Sequence, residues 1–310
     1  MEPRLIPNPP PYPYPYPPQI FMPIPSLTII GESINDSVPS TKQIFDAGNI
    51  DGLLELARFQ DEKGAAYIDV NIGARPAEFM AEMVRKIQAV TSKPLSIDTP
   101  DPQIARAGLE AYDPARAGGR RPILNSISPL RMDMLDLYAI QPFRPILLVS
   151  EQVVDGESKP CHTSEETYRA AQTIVKIFKD RCPGASNDDC IIDPGIAPIG
   201  SDTEGNLHRL IGALKLIHAD PAFAGVHASV GLSNFTVMLP AKRASGEPVK
   251  GPLESAFLTT AMPLGLDMVI GSVKRNYDIL PPEHPAMQCI DECLKLEGYD
   301  VLMRVREFYA

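Results

Sequence analysis

Residues 225–243 read GVHASVGLSNFTVMLPAKR. The first part of this stretch is rich in small and β-branched residues, which predicts a short strand ending near Gly231. Asn234 follows in a loop that becomes basic at Lys242 and Arg243. An Asn after a strand is usually a turn former. Other short apolar runs of this chain end in the same kind of polar side chain, which favours a functional role for Asn234.

The pattern of this stretch repeats about eight times from Leu27 onward: a short apolar run, a polar loop and an amphipathic segment. In one amphipathic segment Phe79, Met83 and Ile87 fall at helical spacing. The apolar runs are continuous, as in parallel strands covered by helices. Eight such units within residues 27–310 predict a closed (β/α)8 TIM barrel. A doubly wound sheet is the alternative, but no GxGxxG turn follows the first strand.

The predicted elements alternate along the chain. The predicted strands are 27–32, 67–71, 95–98, 122–126, 145–150, 190–193, 225–230 and 268–271. The predicted helices are 50–63, 78–90, 102–112, 132–138, 165–180, 206–218 and 253–264, followed by a helical region at 285–307.

Residues 1–26 form a separate proline-rich N-terminal arm, in which eleven of the first 25 residues are Pro. Proline fixes φ and removes a hydrogen-bond donor, so this arm is expected to be extended polyproline II. It could recruit a partner domain or lie along the barrel or a dimer neighbour. The second interpretation is favoured, because exposed Tyr, Ile and Phe side chains are a liability. Residues 27–310 are expected to form the barrel domain.

Composition excludes several classes of function. The net charge of −10 argues against nucleic acid as a partner, because neutralising phosphates needs a basic face. No run approaches the roughly 18 apolar residues that span a membrane, and no secretory signal is visible, so a cytoplasmic protein is expected. The five cysteines form no CxxC pair and are expected to be buried free thiols.

In a barrel the active site lies at the carboxyl ends of the strands. No His or Cys follows a predicted strand there, which disfavours a zinc site and a Ser-His-Asp hydrolase. His227 lies within a strand, and no catalytic or metal-binding role is expected for it. The polar residues at the predicted strand ends are Glu32, Asn35, Asp69, Asn71, Asp98, Asn125, Asp193 and Asn234.

A ring of carboxylates and amides suits a flat heterocycle rich in amide groups, such as a pterin. A carboxylate accepts two hydrogen bonds from the amino group and ring N–H of a 2-amino-4-oxo pyrimidine, and an amide both donates and accepts. The alternative is that these residues cap the following helices. Capping remains open for Asp98, whereas Pro194-Gly195 after Asp193 makes capping weak there.

Six motifs occur in order along the chain: IIGESIN (29–35), YIDVNIG (67–73), LSIDT (95–99), ILNSIS (123–128), IIDPGIAP (191–198) and VGLSN (230–234). On these motifs the chain resembles the pterin-binding methyltransferase family. That family includes methyltetrahydrofolate:corrinoid methyltransferases and the folate domain of cobalamin-dependent methionine synthase. The resemblance covers residues 27 to about 272. Dihydropteroate synthase shares the fold and the Asp and Asn strand ends.

The resemblance implies a barrel that binds tetrahydrofolate or 5-methyltetrahydrofolate and exchanges the N5 methyl group with the cobalt of a corrinoid. It implies that Asn234 is catalytic and hydrogen-bonds near N5. The implied pterin-binding residues are Asp98, Asn125, Asp193, Gly231 and Ser233, and further candidates are Glu32, Asn35, Asn71, Lys242 and Arg243. No metal is expected to bind the chain directly.

The chain contains no cobalamin motif of the DxHxxG type, so the corrinoid (cobalamin) is expected on a separate partner protein. A homodimer is also expected. Residues 235–238, FTVM, replace more polar residues of several relatives, and Ser33 stands where the family often has Arg. Two alternatives remain: a dihydropteroate synthase-like pterin enzyme, and a non-catalytic folate-binding barrel. The GLSN sequence favours methyl transfer.

Overall fold

The computed structural model describes residues 24–310, so most of the predicted N-terminal arm lies outside the described residues. Eight parallel strands close into a barrel with helices around it, which confirms the predicted (β/α)8 barrel. The barrel strands are β1 (Thr28–Asn35), β2 (Tyr67–Asn71), β3 (Leu95–Asp98), β4 (Ile123–Ile127), β5 (Arg144–Leu148), β8 (Ile191–Asp193), β9 (His227–Gly231) and β10 (Leu266–Gly271). Around the barrel they follow the order β1-β10-β9-β8-β5-β4-β3-β2.

The helices pack outside the strands, and the longer ones lie close to their predicted bounds. Most bury one face against the barrel and expose the other to solvent. In the helix at 77–88, for example, Met80, Val84 and Ile87 on the inner face are fully buried. The helices are α1 (Pro39–Asp46), α2 (Ile50–Glu62), α3 (Ala77–Gln88), α4 (Pro102–Ala111), α5 (Ser164–Arg181), α6 (Asn206–Ala219), α7 (Leu232–Phe235), α8 (Lys250–Ala261), α9 (Pro285–Cys293) and α10 (Tyr299–Tyr309).

Several elements differ from the prediction. The segment predicted as an α-helix at 132–138 is a 3-10 helix, Pro129–Ala139, with a kink at Arg131. Helices α1 and α7 were not predicted, and the helical region at 285–307 divides into α9 and α10. A two-stranded antiparallel hairpin, β6 (Glu151–Val154) and β7 (Glu157–Pro160), follows β5. The Asp-Gly pair at its turn has positive φ at both residues, which suits a tight hairpin.

The interior of the barrel changes from apolar to polar along the strands. The layer nearer the amino ends of the strands is a separate apolar cluster, formed by Ile30, Tyr67, Ile123, Ile146, Ile191 and Met268. Because side chains alternate across a strand, the residues two positions further on face the same interior. Four of these pairs place a polar group above an apolar one: Ile30 and Glu32, Tyr67 and Asp69, Ile123 and Asn125, and Ile191 and Asp193.

All five cysteines, Cys161, Cys182, Cys190, Cys289 and Cys293, are free and buried, as predicted. Among residues 24–310, no helix combines the length and apolar character needed to cross a bilayer.

Candidate active site

Asp98 and Asn71 form a hydrogen-bonded pair at the ends of β3 and β2. The Asn71 Nδ2 donates to Asp98 Oδ2 at 2.9 Å. The Gly73 N–H donates to Asn71 Oδ1 at 2.9 Å, which fixes the amide so that its NH2 group faces the carboxylate. Burial raises the pKa of Asp98, while its hydrogen bond from Asn71 acts in the opposite direction. Both residues line a cavity of about 690 Å³ on this side of the barrel mouth.

Asp69 lies one layer deeper in the barrel, next to Asp98. Its Oδ1 accepts a hydrogen bond from Asn125 Nδ2 at 3.3 Å, and its Oδ2 is buried without a hydrogen-bond partner among the described residues. Burial, followed by the charge of Asp98, raises the pKa of Asp69 well above its usual range. Asp69 therefore holds a proton more tightly than its neighbour, and its unpaired oxygen is available to a ligand.

Asp193 ends β8 and is only 8% exposed. Its Oδ1 accepts the Gly195 N–H at 2.7 Å, across a turn in which Gly195 has a φ of +72°. A Cβ at Gly195 would lie 2.6 Å from the Ser150 side chain, so the turn requires glycine. Burial raises the pKa of Asp193 to about 6, although the Gly195 N–H and the Arg209 charge act against that rise.

Arg209 of α6 donates hydrogen bonds to the turn that follows Asp193. Its guanidinium donates to the carbonyl oxygens of Pro194, at 2.6 Å, and Gly195, at 3.1 Å. It also donates to Thr167 Oγ1 of α5 at 3.1 Å, and it is only 6% exposed. One buried cation thus joins two helices to the loop that carries Asp193.

The Asn234 side chain lies on the short helix α7, directly after β9. Asn234 is exposed, and its amide makes no hydrogen bond within residues 24–310. The amide folds back over Gly231, where a Cβ would come within 2.8 Å of Asn234 Nδ2. The neighbouring Ser233 Oγ donates to Glu32 Oε2 at 3.0 Å, which ties α7 to β1. The backbone of α7 is therefore anchored while the Asn234 amide remains available.

An ion pair with a fully buried carboxylate, Glu254, contacts the end of α7. Glu254 of α8 is fully buried and is hydrogen-bonded to both Thr236 Oγ1 and the Arg275 guanidinium. Tyr277 is 4% exposed, and its hydroxyl has no partner among the described residues. Burial raises the pKa of Glu32, while the Ser233 hydrogen bond and the Arg275 charge lower it in part.

The structure brings nine of the residues named from the sequence to one end of the barrel: Glu32, Asn35, Asn71, Asp98, Asn125, Asp193, Gly231, Ser233 and Asn234. The Asn35 side chain accepts the Ser37 N–H at 2.8 Å, so it forms a local turn. The other two lie further along the loop. Lys242 is exposed, and the Arg243 guanidinium lies 4.1 Å from the ring centroid of Phe308 in α10.

Helix capping does not explain the two carboxylates for which it was considered. The N-cap of α4 is Asp101, whose Oδ1 accepts from the Gln103 and Ile104 N–H groups. Asp98 is bonded to Asn71 instead. Asp193 closes a turn to Gly195 and caps none of the helices within residues 24–310. Burial of these carboxyls costs free energy that no local backbone structure requires, which favours a ligand-binding role.

Three residues of this site were not selected from the sequence: Arg209, Glu254 and Arg275. They reach the site from helices or loops distant in sequence, and no local pattern marks them. Asp69 is one of the strand-end polar residues, and the two-residue alternation from Tyr67 to Asn71 puts it on the inward face, but the sequence assigns no binding role to it.

The chain belongs to the family of pterin binding enzymes, because that family's sequence profile matches residues 34–271. It is 26% identical over 251 residues to the methylcorrinoid:tetrahydrofolate methyltransferase of Eubacterium limosum, covering 79% of this chain and 84% of that protein. These findings confirm the predicted resemblance to pterin-binding methyltransferases and the prediction of an enzyme.

Solved dihydropteroate synthases share the fold. The Thermus thermophilus enzyme has a TM-score of 0.54 at 16% identity, covering 80% of this chain and 88% of that one. The Xanthomonas albilineans enzyme with 4-aminobenzoic acid has a TM-score of 0.52 at 18% identity, covering 82% and 88%. At these identities the likeness concerns the barrel architecture alone.

Proposed function

We propose that this enzyme is a methyltransferase that moves a methyl group between N5 of tetrahydrofolate and the cobalt of a corrinoid carried by a separate protein. One observation carries the proposal: buried carboxyls with raised pKa values and an exposed Asn amide lie at the same barrel mouth. The relative from Eubacterium limosum, named for methylcorrinoid and tetrahydrofolate, supports it.

The carboxyls and amides would hold the pterin ring by its polar edge. Asp98 and Asp193, once ionised, accept from the amino group and the ring N–H groups, while Asn125 can donate and accept. The unpaired Asp69 Oδ2 is a further hydrogen-bonding atom at the bottom of this site, and it would donate while Asp69 is protonated. Because these groups are buried, each ligand hydrogen bond would also satisfy a polar atom that is otherwise isolated from water.

Asn234 would act at N5. A deprotonated amine is a very poor leaving group. The methyl group therefore leaves N5 only as that nitrogen gains a proton or a strong hydrogen bond. The free amide can rotate to donate to N5 in the transition state, with the proton supplied by solvent. In the opposite direction N5 attacks the methyl group, and the same amide stays beside it. The corrinoid cobalt would supply the atom that accepts or donates the methyl group.

Exposed apolar side chains around the barrel mouth support a protein partner. Large apolar residues follow the ends of several barrel strands. They include Leu130, Val153, Val237 and Met238, whose exposures are 58%, 50%, 56% and 64%. Exposed apolar patches of this kind mark sites of protein association. A corrinoid protein that docks over the mouth would cover them.

The test is the rate of methyl transfer in the Asn234→Ala variant. With 5-methyltetrahydrofolate and reduced corrinoid, the conversion of Co(I) to methyl-Co(III) should slow about 100-fold, since one transition-state donor is lost. The matched control is Asn49→Ala, which removes an Asn side chain that accepts the Gly52 N–H at the start of α2 and contacts no residue of the site, so the rate should be unchanged.

An unchanged rate in Asn234→Ala would exclude the role proposed for this amide. Rescue of a mutant that lacks dihydropteroate synthase would instead favour the biosynthetic activity. Tight folate binding by the wild-type protein without any methyl transfer under reducing conditions would favour the non-catalytic folate-binding barrel.

A further inference from the structure

A second cavity, of about 510 Å³, lies beside α7, between the segments that follow β9 and β10. Since both segments leave the carboxyl ends of their strands, this cavity lies toward the end of the barrel that carries Asp98 and Asp193. Its polar lining is mainly basic or neutral: Lys250, Arg275, His284, Ser255, Asn276 and Asp278.

The basic groups of this cavity carry charge that the protein does not fully neutralise. Lys250 Nζ donates to the Val237 carbonyl oxygen at 3.3 Å, and within residues 24–310 it has no carboxylate within ion-pair distance. Burial, and then the nearby Arg275 charge, lower the pKa of Lys250. Arg275 is paired with the buried Glu254, and Asp278 is the acidic residue of the lining. Two cations that repel each other in one cavity form a favourable site for an anion.

The position of this cavity complements that of the carboxylates. In the closed barrel β3 and β4, which carry Asp98 and Asn125, lie opposite β9 and β10. The cavity on the β2–β3 side is lined by the acidic residues Glu78, Asp98 and Asp101, together with Arg75, which is ion-paired to Asp36. The mouth therefore has an acidic cavity on the β2–β3 side and a basic cavity beside β9 and β10, while Asp193 and Glu32 lie on the strands that flank β9 and β10.

A folate molecule has the complementary polarity. Its pyrimidine edge carries N–H donors, and its glutamate tail carries at least two carboxylates. The tail is attached at C6, the carbon bonded to N5. If Asn234 lies against N5, the tail leaves the pterin beside α7, toward the wall formed by Thr236, Glu254 and Arg275.

We propose that the cavity lined by Lys250, Arg275 and His284 binds the carboxylates of the folate glutamate tail, and therefore favours folates with several glutamates. This assignment rests on the proposed function. It gives the enzyme two recognition sites for one substrate: hydrogen-bond acceptors for the pterin and cations for the tail.

The test compares three ligands by titration calorimetry: 5-methyltetrahydrofolate with one glutamate, the same compound with five glutamates, and 6-methyltetrahydropterin, which has no tail. The variant is Lys250→Gln, which removes the charge and retains a donor. We expect its affinity for the monoglutamate to fall about fivefold, as for one charge-assisted hydrogen bond at a partly exposed site. The loss should be larger for the pentaglutamate and absent for the tailless pterin.

Two controls accompany this variant. Lys250→Arg keeps the charge and should retain the preference for the tail. Lys274→Gln removes a neighbouring cation that lies 5.7 Å from the centroid of the Phe59 ring, outside the cavity lining, and should bind all three ligands as the wild type does. High salt should reduce the preference for the pentaglutamate in the wild type.

The tail assignment is wrong if wild-type protein binds the tailed and tailless pterins equally, or if Lys250→Gln weakens both by the same factor. Either result leaves the proposed function intact. A wild-type protein that binds no tetrahydropterin overturns the proposed function, and the tail assignment with it. A Lys250→Gln effect confined to the KM for a corrinoid protein also overturns the assignment, because the cavity would then contact the partner.

Discussion

Gly231 determines where the Asn234 amide can lie. A Cβ at this position would approach Asn234 Nδ2 to 2.8 Å, and the atom that must move is the end of a flexible side chain. Gly231→Ala should therefore fold with nearly unchanged stability but displace the amide. We expect methyl transfer to slow about tenfold or more, because misplaced catalytic groups lose much of their effect. Single-turnover rates and thermal unfolding of the same preparation check both parts.

The control for this variant is Gly251→Ala, at a glycine that lines the second cavity. A Cβ at Gly251 meets no atom within 4 Å, so at saturating folate the rate should be unchanged, and the melting temperature should not fall because alanine favours helix α8. If Gly231→Ala transferred methyl groups at the wild-type rate, the position of the amide over Gly231 would have no catalytic importance.

Asp193 predicts a pH dependence of pterin binding. Its pKa is raised from 3.8 to about 6, and in the proposed complex the ionised carboxylate is the form that would accept hydrogen bonds from the pterin. Affinity for 5-methyltetrahydrofolate should therefore fall as the pH drops below about 6, approaching about tenfold per pH unit for this group. Calorimetric titration at pH 5 to 8 measures it. In Asp193→Asn affinity should be low at every pH and depend less on pH.

The same raised pKa affects the stability of the ligand-free protein in the opposite direction: it favours the folded state at lower pH. Between pH 3.8 and about 6, folded Asp193 keeps a proton that the unfolded chain has released. Its contribution to the free energy of unfolding should consequently decrease as the pH rises through that range.

At the residue scale, the sequence identified the strand-end groups because parallel strands in a barrel must all end at one mouth. Asp98, Asn125 and Asp193 followed from that rule. Asp69 was noted by the same rule, but only the structure shows that it is fully buried below Asn71 and bonded to Asn125. The hydrogen bond between Ser233 and Glu32 joins residues 201 positions apart, and no sequence pattern could have revealed it.

At the scale of elements, Arg209 makes α6 a structural support for the turn after β8. Replacing it with Met would leave the Pro194 and Gly195 carbonyls and the Thr167 hydroxyl without their donor. We expect Arg209→Met to lower the free energy of unfolding by about 2–4 kcal/mol. It should also raise the pKa of Asp193 further, because the opposing charge is lost. Urea unfolding and the pH profile of binding test these two effects.

Arg209→Lys separates charge from geometry. Lysine keeps the positive charge but cannot make the forked contacts of a guanidinium, so stability should be only partly recovered while the pH profile stays near that of the wild type. Equal stability of Arg209→Met and the wild type would contradict the proposed supporting role.

Barrel strands and helices of several turns were predictable, whereas the short helix α7 and the hairpin outside the barrel were not. α2 and α6 lie within one residue of their predicted bounds because apolar residues recur at helical spacing over three or more turns. Helix α7 has four residues, too few for a periodic pattern, and the segment was predicted as a loop. The β6–β7 hairpin had a visible Asp-Gly turn, but its strands are mostly polar and lie outside the barrel.

For the whole molecule, the exposed apolar residues on the carboxyl-end face predict where the proposed corrinoid protein would dock. Met238→Asp should raise the KM for a corrinoid protein about tenfold, because it places a charge in an apolar interface. It should leave the rate with free cob(I)alamin unchanged. Ile140→Asp is the matched control, since Ile140 is 36% exposed and precedes β5 at the opposite end of the barrel. Equal effects on protein-bound and free corrinoid would argue against this docking surface.

The burial of all five thiols determines how this protein tolerates oxygen. Burial also raises the pKa values of Cys161, Cys182 and Cys190. The hydrogen bond with Cys293 lowers the pKa of Cys289, but that thiol is fully buried. A thiol reagent should find no accessible sulfur in the native chain and all five after denaturation. The polypeptide should therefore survive storage in air, and oxygen would act on the reduced cobalt and on tetrahydrofolate. Enzyme kept aerobically should regain full activity once freshly reduced corrinoid and fresh folate substrate are added.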